Sequence, residues 1–185
     1  ADRIAQLLGT AHGATYTGAA MHTPVEVTEQ AMQIVRDRGI DGTVAIGGGS
    51  TIGLGKAIAL RTDLPQLVIP STYAGSEMTP IIGQTENGLK TTTRTLKVLP
   101  ETVIYDIDLT LTLPAKMSVI SGLNAMANAV EALYATNTNP VLALMAEAGI
   151  GALYRALPII SQKPLDADAR SDALYGAWLC AIGLG

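Results

Sequence analysis

The chain has 185 residues, 48% hydrophobic and 15% charged, with a formal net charge of −4. That is enough apolar material for one sizeable core or two small ones, and the negative balance gives no long-range positive field for nucleic acid or a membrane surface, so an anionic ligand must be held locally. The single Cys180 excludes an internal disulfide and suits a reducing cytoplasm as a small buried side chain, and the sequence shows neither an apolar run of membrane-span length nor a signal peptide.

In chain order, Ala1 to Leu8 reads as the tail of an amphipathic helix, with Ile4, Leu7 and Leu8 apolar. Thr23, Pro24, Val25 and Glu26 set a hydroxyl cap, proline at the first helical position and glutamate three residues after the cap, which predicts a helix from Pro24 opened by a capping box. Val27, Ala31, Ile34 and Val35 form its apolar face, and Gly39 ends it. From Thr43 to Ile46 the chain is β-branched or apolar and runs straight into Gly47, Gly48, Gly49 and Ser50, after which Ser50 to Leu60 lacks proline and has helical spacing of apolar residues.

Strand, tight turn and helix in that order bring bare backbone N–H groups to the positive end of a helix, where a phosphate oxygen can approach. A sharp turn with no ligand would use the same glycines. Two named cradles are excluded by the residues: a P-loop fails at Ser50 and at Ala57, and a G-x-G-x-x-G fingerprint begun at Gly47 meets Ile52 in place of its third glycine.

Leu67 to Pro70 is a second short strand, followed by the small and hydroxylated residues Ser71, Thr72, Tyr73, Ala74, Gly75 and Ser76. Two buried strands around one helix make a βαβ unit of a parallel sheet, whose strand-end loops share the ligand-binding edge, so Ser50 and Thr72 are expected to face one nucleotide. Asn87-Gly88 predicts a hairpin over Ile81 to Thr93 with Lys90 on its returning arm, and Thr102 to Asp106 reads as a third strand. Beyond Leu113 the pattern is helical: about Pro114 to Ala135, Pro140 to Leu157 capped by Asn139, and Leu165 onward. In the first of these helices Asn124 and Asn128 share a face, with Glu131 nearby, either as an interhelical hydrogen-bond pair or as the floor of a cleft. The expected fold is α/β, a Rossmann-like dinucleotide-binding domain with a parallel sheet over 1–113, followed by an all-helical domain over 114–185. Both ends read as cut, the first helix having no strand before it and Ala173 to Gly185 being almost wholly apolar, which predicts the middle of a longer protein.

The segments AIGGGSTIGLGKAIALRT (45–62), IPSTYAGSEMTPIIGQTENGLKTT (69–92), VLPETVIYDIDLTLTLP (98–114), SGLNAMANAVEALYA (121–135), NPVLALMAEAGI (139–150) and RSDALYGAWLC (170–180) resemble the iron-containing alcohol dehydrogenase superfamily, and within it the maleylacetate reductases. The resemblance implies an NADH or NADPH cofactor with its diphosphate at Gly48, Gly49 and Ser50. It places Thr72, Tyr73 and Ser76 beside the nicotinamide half, Lys90 at its ribose and Leu109 near the adenosine side. It further implies a cytoplasmic homodimer acting on a small dicarboxylate, with the proton donor in later helices. The superfamily's Asp is replaced by Gly53, and its metal-binding Asp and His by Asn124 and Asn128. Neutral amides are poor ligands for a divalent transition metal, so the expectation is a substrate cleft at Asn124 and Asn128 and no metal. The expected activity is reduction of maleylacetate to 3-oxoadipate in aromatic breakdown. The competing readings are a metal-dependent alcohol dehydrogenase of the same fold and a non-catalytic nucleotide-binding protein.

Overall fold

The computed structural model describes residues 2–136 and 138–183. Helix α1 (Asp2–Leu8) buries no residue, and α2 (Val25–Arg38) packs Ala31 and Met32 against Leu54 and Ile58 of α3 (Gly49–Thr62). Strands β1 (Thr43–Gly47), β2 (Gln66–Pro70) and β5 (Thr102–Val103) form one parallel sheet in the order β1-β2-β5, with Ala45 opposite Val68 and Val68 opposite Val103. With α3 joining β1 to β2, the ends of both strands and the loops that follow them lie on one edge of the sheet. Strands β3 (Ile81–Glu86) and β4 (Leu89–Arg94) form the hairpin, turned by Asn87 and Gly88 with φ of 50° and 78°. Both central residues at positive φ are what a turn matching the strand twist requires.

Two local expectations are overturned. The capping box on α2 does not form: Pro24 is the cap residue and makes no side-chain cap bond, because Thr23 has a left-handed backbone (φ 48°) and its hydroxyl is turned onto Gly53 of α3. The third strand is only Thr102–Val103, and the chain then passes through a 3₁₀ turn at Ile107–Leu109 capped by Asp106.

The helical half consists of α4 (Ala115–Tyr134), α5 (Pro140–Gln162) and α6 (Ala167–Ile182). Helices α5 and α6 meet at glycines: a Cβ on Gly149 would lie 2.9 Å from the Gly176 carbonyl oxygen and 2.8 Å from Cys180 Sγ. Side chains there would force the backbones apart. Helix α5 continues past its expected end at Leu157, through Pro158, since Ala156, Leu157 and Ile160 are all buried and packing outweighs the hydrogen bond that proline removes. It is also long and apolar enough to cross a bilayer, contrary to the sequence expectation, although here its Ala146 to Ile160 face is buried against α4 and α6.

Candidate functional site

At the end of β1, Gly47 has φ of 151°, and a Cβ there would lie 2.6 Å from Thr51 Oγ1. The turn therefore depends on glycine for both its backbone angle and its close fit. Gly48 caps α3, and its carbonyl accepts from the N–H groups of Thr51 (3.0 Å) and Ile52 (3.1 Å). The first N–H groups of the helix, at Gly49 and Ser50, have no partner within it, and a Cβ on Gly49 would meet nothing within 4 Å. Open space beside unpaired donors at a helix start fits an anion such as a diphosphate.

The loop after β2 comes to the same place. The Ser71 N–H donates to the Gly47 carbonyl (2.9 Å), and a Cβ on Gly48 would lie 2.8 Å from Thr72 Cγ2. Gly48, Gly49, Ser50 and Thr72 are thus one cluster. Tyr73 then turns inward: the residue is 0% exposed, its N–H donates to Ser121 Oγ on α4 (3.2 Å), and its phenol oxygen accepts from Arg170 of α6 (3.1 Å). Its ring belongs to the helical core with Ala125, Leu153 and Leu174. Ser76 lies further along the loop with a buried hydroxyl that has no hydrogen-bond partner.

The exit of this loop is held by buried ionisable groups. Lys56 Nζ donates to Thr79 O (2.6 Å), Thr79 Oγ1 (3.0 Å) and Ile81 O (3.0 Å), and the Tyr105 hydroxyl donates to Glu77 Oε1 (3.0 Å). Burial lowers the Lys56 pKa from 10.5 to about 8, with Glu77 opposing that shift, and burial raises the carboxyl of Glu77. The phenol of Tyr105 is raised by its own burial and by the neighbouring Glu77. Buried Cys180 is pushed up to about 11 by desolvation, which makes it a packing residue rather than a thiolate. None of Lys56, Glu77, Tyr105 or Arg170 was expected as a site residue from sequence. The signal was a charged side chain inside an otherwise apolar helical run, as in Gly55-Lys56-Ala57-Ile58.

The other expected residues lie apart. Lys90 is exposed on β4, with Cε 2.9 Å from where a Cβ on Gly83 would sit, and Leu109 is half-buried in the 3₁₀ turn. Asn124 and Asn128 follow Ser121 along one stripe of α4, Asn124 exposed and Asn128 half-buried, and neither makes an interhelical hydrogen bond among the described residues. Among those residues there is also no cluster of three or more His, Cys, Asp or Glu side chains able to hold a metal ion.

A sequence model described as iron-containing alcohol dehydrogenase matches residues 1–107, and one described as Fe-containing alcohol dehydrogenase family, C-terminal, matches residues 118–185. The maleylacetate reductases of Rhizobium sp. strain MTP-10005 and Sphingobium indicum are 58% and 56% identical over all 185 residues. The chain spans about half the length of these relatives, 53% of each. It superposes on the crystal structure of the Rhizobium maleylacetate reductase with a TM-score of 0.96, covering 100% of this chain and 53% of that one. The fold extends to the sulfoacetaldehyde reductase of Bifidobacterium kashiwanohense, 22% identical with a TM-score of 0.92 over 98% of this chain and 54% of that one.

Proposed function

The chain belongs to the iron-containing alcohol dehydrogenase family, and from that membership we propose that the whole protein is an NADH- or NADPH-dependent maleylacetate reductase, forming 3-oxoadipate in the breakdown of aromatic compounds. The observation that carries this reading is 58% identity to a maleylacetate reductase across all 185 residues, through both strand-end loops and α4. Gly48, Gly49 and Ser50 hold the cofactor diphosphate on the open start of α3, and Thr72, Tyr73 and Ser76 form the loop beside the nicotinamide half. Lys90 and Leu109 have their assigned ribose and adenosine roles from the family resemblance alone. When bound, the nicotinamide supplies a hydride.

The chain's own residues orient and stabilise. Reduction of a double bond conjugated to an oxo group moves charge onto that oxygen, and fixed hydrogen-bond donors lower the barrier by meeting the charge as it develops. The side-chain N–H groups of Asn124 and Asn128 are neutral donors on the α4 face that carries Ser121. The family's iron raises the question of metal. A carboxylate and an imidazole would fit a transition metal at the two α4 positions, but two amides do not. We therefore read the enzyme as metal-independent, and as a cytoplasmic homodimer by the family's pattern.

The test is oxidation of NADH and NADPH by the full-length protein with maleylacetate, alongside elemental analysis and chelation. Formation of 3-oxoadipate without bound metal is the expected result. Activity lost to chelator and restored by iron or zinc would refute the metal-independent reading, oxidation of simple alcohols only with divalent metal would favour the metal-dependent alcohol dehydrogenase, and cofactor binding without turnover would favour a non-catalytic protein.

A further inference from the structure

Arg170 is the largest fully buried side chain of the described residues, at 0% exposure, and no carboxylate pairs with it among them. Four of its five N–H groups instead donate to neutral acceptors from three places. Nη1 donates to Tyr73 Oη (3.1 Å) and to Ser118 Oγ on α4 (2.8 Å), Nη2 to the Leu113 carbonyl just before α4 (2.8 Å), and Nε to the Pro164 carbonyl between α5 and α6 (2.9 Å). Burying a cation without a counter-ion is costly, and an apolar side chain of similar volume would fill the space without that cost. What an apolar residue lacks is the rigid planar fork, which fixes several acceptors in one geometry at once.

The acceptors lie behind the proposed cofactor loop. Thr72 abuts Gly48 of the cradle, and Tyr73 is the next residue. Two residues on, Gly75 has φ of 78°, and a Cβ there would lie 2.6 Å from Ala181 Cβ of α6. The loop that meets the cradle on one side is therefore seated in the helical core on the other. Ser118, an Arg170 acceptor, and Ser121, which accepts the Tyr73 N–H, are both on α4, about two turns and one turn before Asn124.

We propose that Arg170 is a positioning residue for hydride transfer, setting the distance between the nicotinamide loop at Thr72–Ser76 and the α4 stripe at Asn124 and Asn128. The proposal rests on the reading of the two loops as a nicotinamide nucleotide site. Arg170 touches neither ligand and acts through Tyr73 and Ser118.

The experiment uses the full-length protein with Tyr73→Phe, which removes one hydroxyl and keeps the ring in the core, and Arg170→Lys, which keeps the charge and loses the fork. NADH affinity is read by fluorescence titration. The kinetic parameters kcat and KM are read with maleylacetate, and the isotope effect on kcat with NADH deuterated at the transferred position. Expected are a kcat lowered about tenfold in Tyr73→Phe and further in Arg170→Lys, an increased isotope effect, KM for maleylacetate within about twofold of wild type, and cooperative unfolding retained. A purely structural role would lower the melting temperature and leave kcat and the isotope effect of the folded enzyme unchanged, which would overturn the proposal. If Arg170→Lys does not fold, Tyr73→Phe alone decides by the same readings. A wild-type protein that binds neither NADH nor NADPH would remove the nucleotide reading and this inference with it, whereas one that binds either and turns over maleylacetate with variants at wild-type kcat would remove only the inference.

Discussion

At the end of β1 the chain leaves side chains out, and at the end of β2 it anchors them deeply. The Gly47 to Gly49 turn shapes its surface by backbone alone, with Gly49 facing open space. The 71–79 loop is instead pinned by Tyr73, Glu77 and Thr79 to Arg170, Tyr105 and Lys56, all reaching in from other elements. A backbone anion site needs nothing beyond the local strand-turn-helix geometry, because its donors belong to the helix itself. A loop without regular hydrogen bonding has no such internal order, and its shape must be fixed from outside, here with ionisable groups removed from water.

The largest effect expected from this contrast is on the anchored side. With its pKa at about 8 in the folded chain against an ordinary 10.5, Lys56 binds fewer protons folded than unfolded across that window, so its own contribution to stability rises with pH there, while the Cys180 thiol, raised from 9.0 to about 11, opposes it in the upper part of the window. The full cost of the buried ammonium is present below the window. The rise is up to about 1.4 kcal/mol per pH unit, about 3 kcal/mol in all. In urea unfolding across this range the full-length protein should gain stability relative to Lys56→Met as pH rises, the opposing contributions of Cys180 and Tyr105 being common to both, and parallel curves would mean that the ammonium is not desolvated.

Next is Gly53, where a Cβ has no room against the Thr23 hydroxyl. Gly53→Asp should destabilise by about 2 kcal/mol through overpacking. Adding Thr23→Gly should recover more than half of that, as it clears the space and relieves a left-handed threonine; a double-mutant cycle separates the two contributions, and simple additivity would show that the two positions are not interlocked.

On the open side, Gly48→Val sets a branched side chain against Thr72, and NADH affinity should fall at least tenfold, about 1.4 kcal/mol. Unchanged affinity in a folded full-length variant would show that the loop is only a turn. The smallest effect is at Gly49, where alanine has room and needs no special backbone angle. Gly49→Ala should leave the melting temperature within about two degrees and weaken NADH binding about threefold, roughly 0.7 kcal/mol. Loss of stability instead would mean that this side of the cradle is packed rather than open.

By itself the sequence determined the βαβ order, the hairpin turn at Asn87-Gly88 and the glycine turn between β1 and α3, each of which is written in neighbouring residues through hydrophobic period, turn chemistry and missing Cβ atoms. Local rules failed where a distant contact outweighed them. The capping box at Thr23 gave way to packing on Gly53, thirty residues away in sequence, and α5 ran through Pro158 because its far turn is buried. Only the tertiary structure brought Tyr73 under Arg170, 97 residues further on, and Lys56 to the carbonyls of Thr79 and Ile81. A long side chain's partners depend on where the fold carries it, and nothing in the spacing of Tyr73 and Arg170 records that they meet.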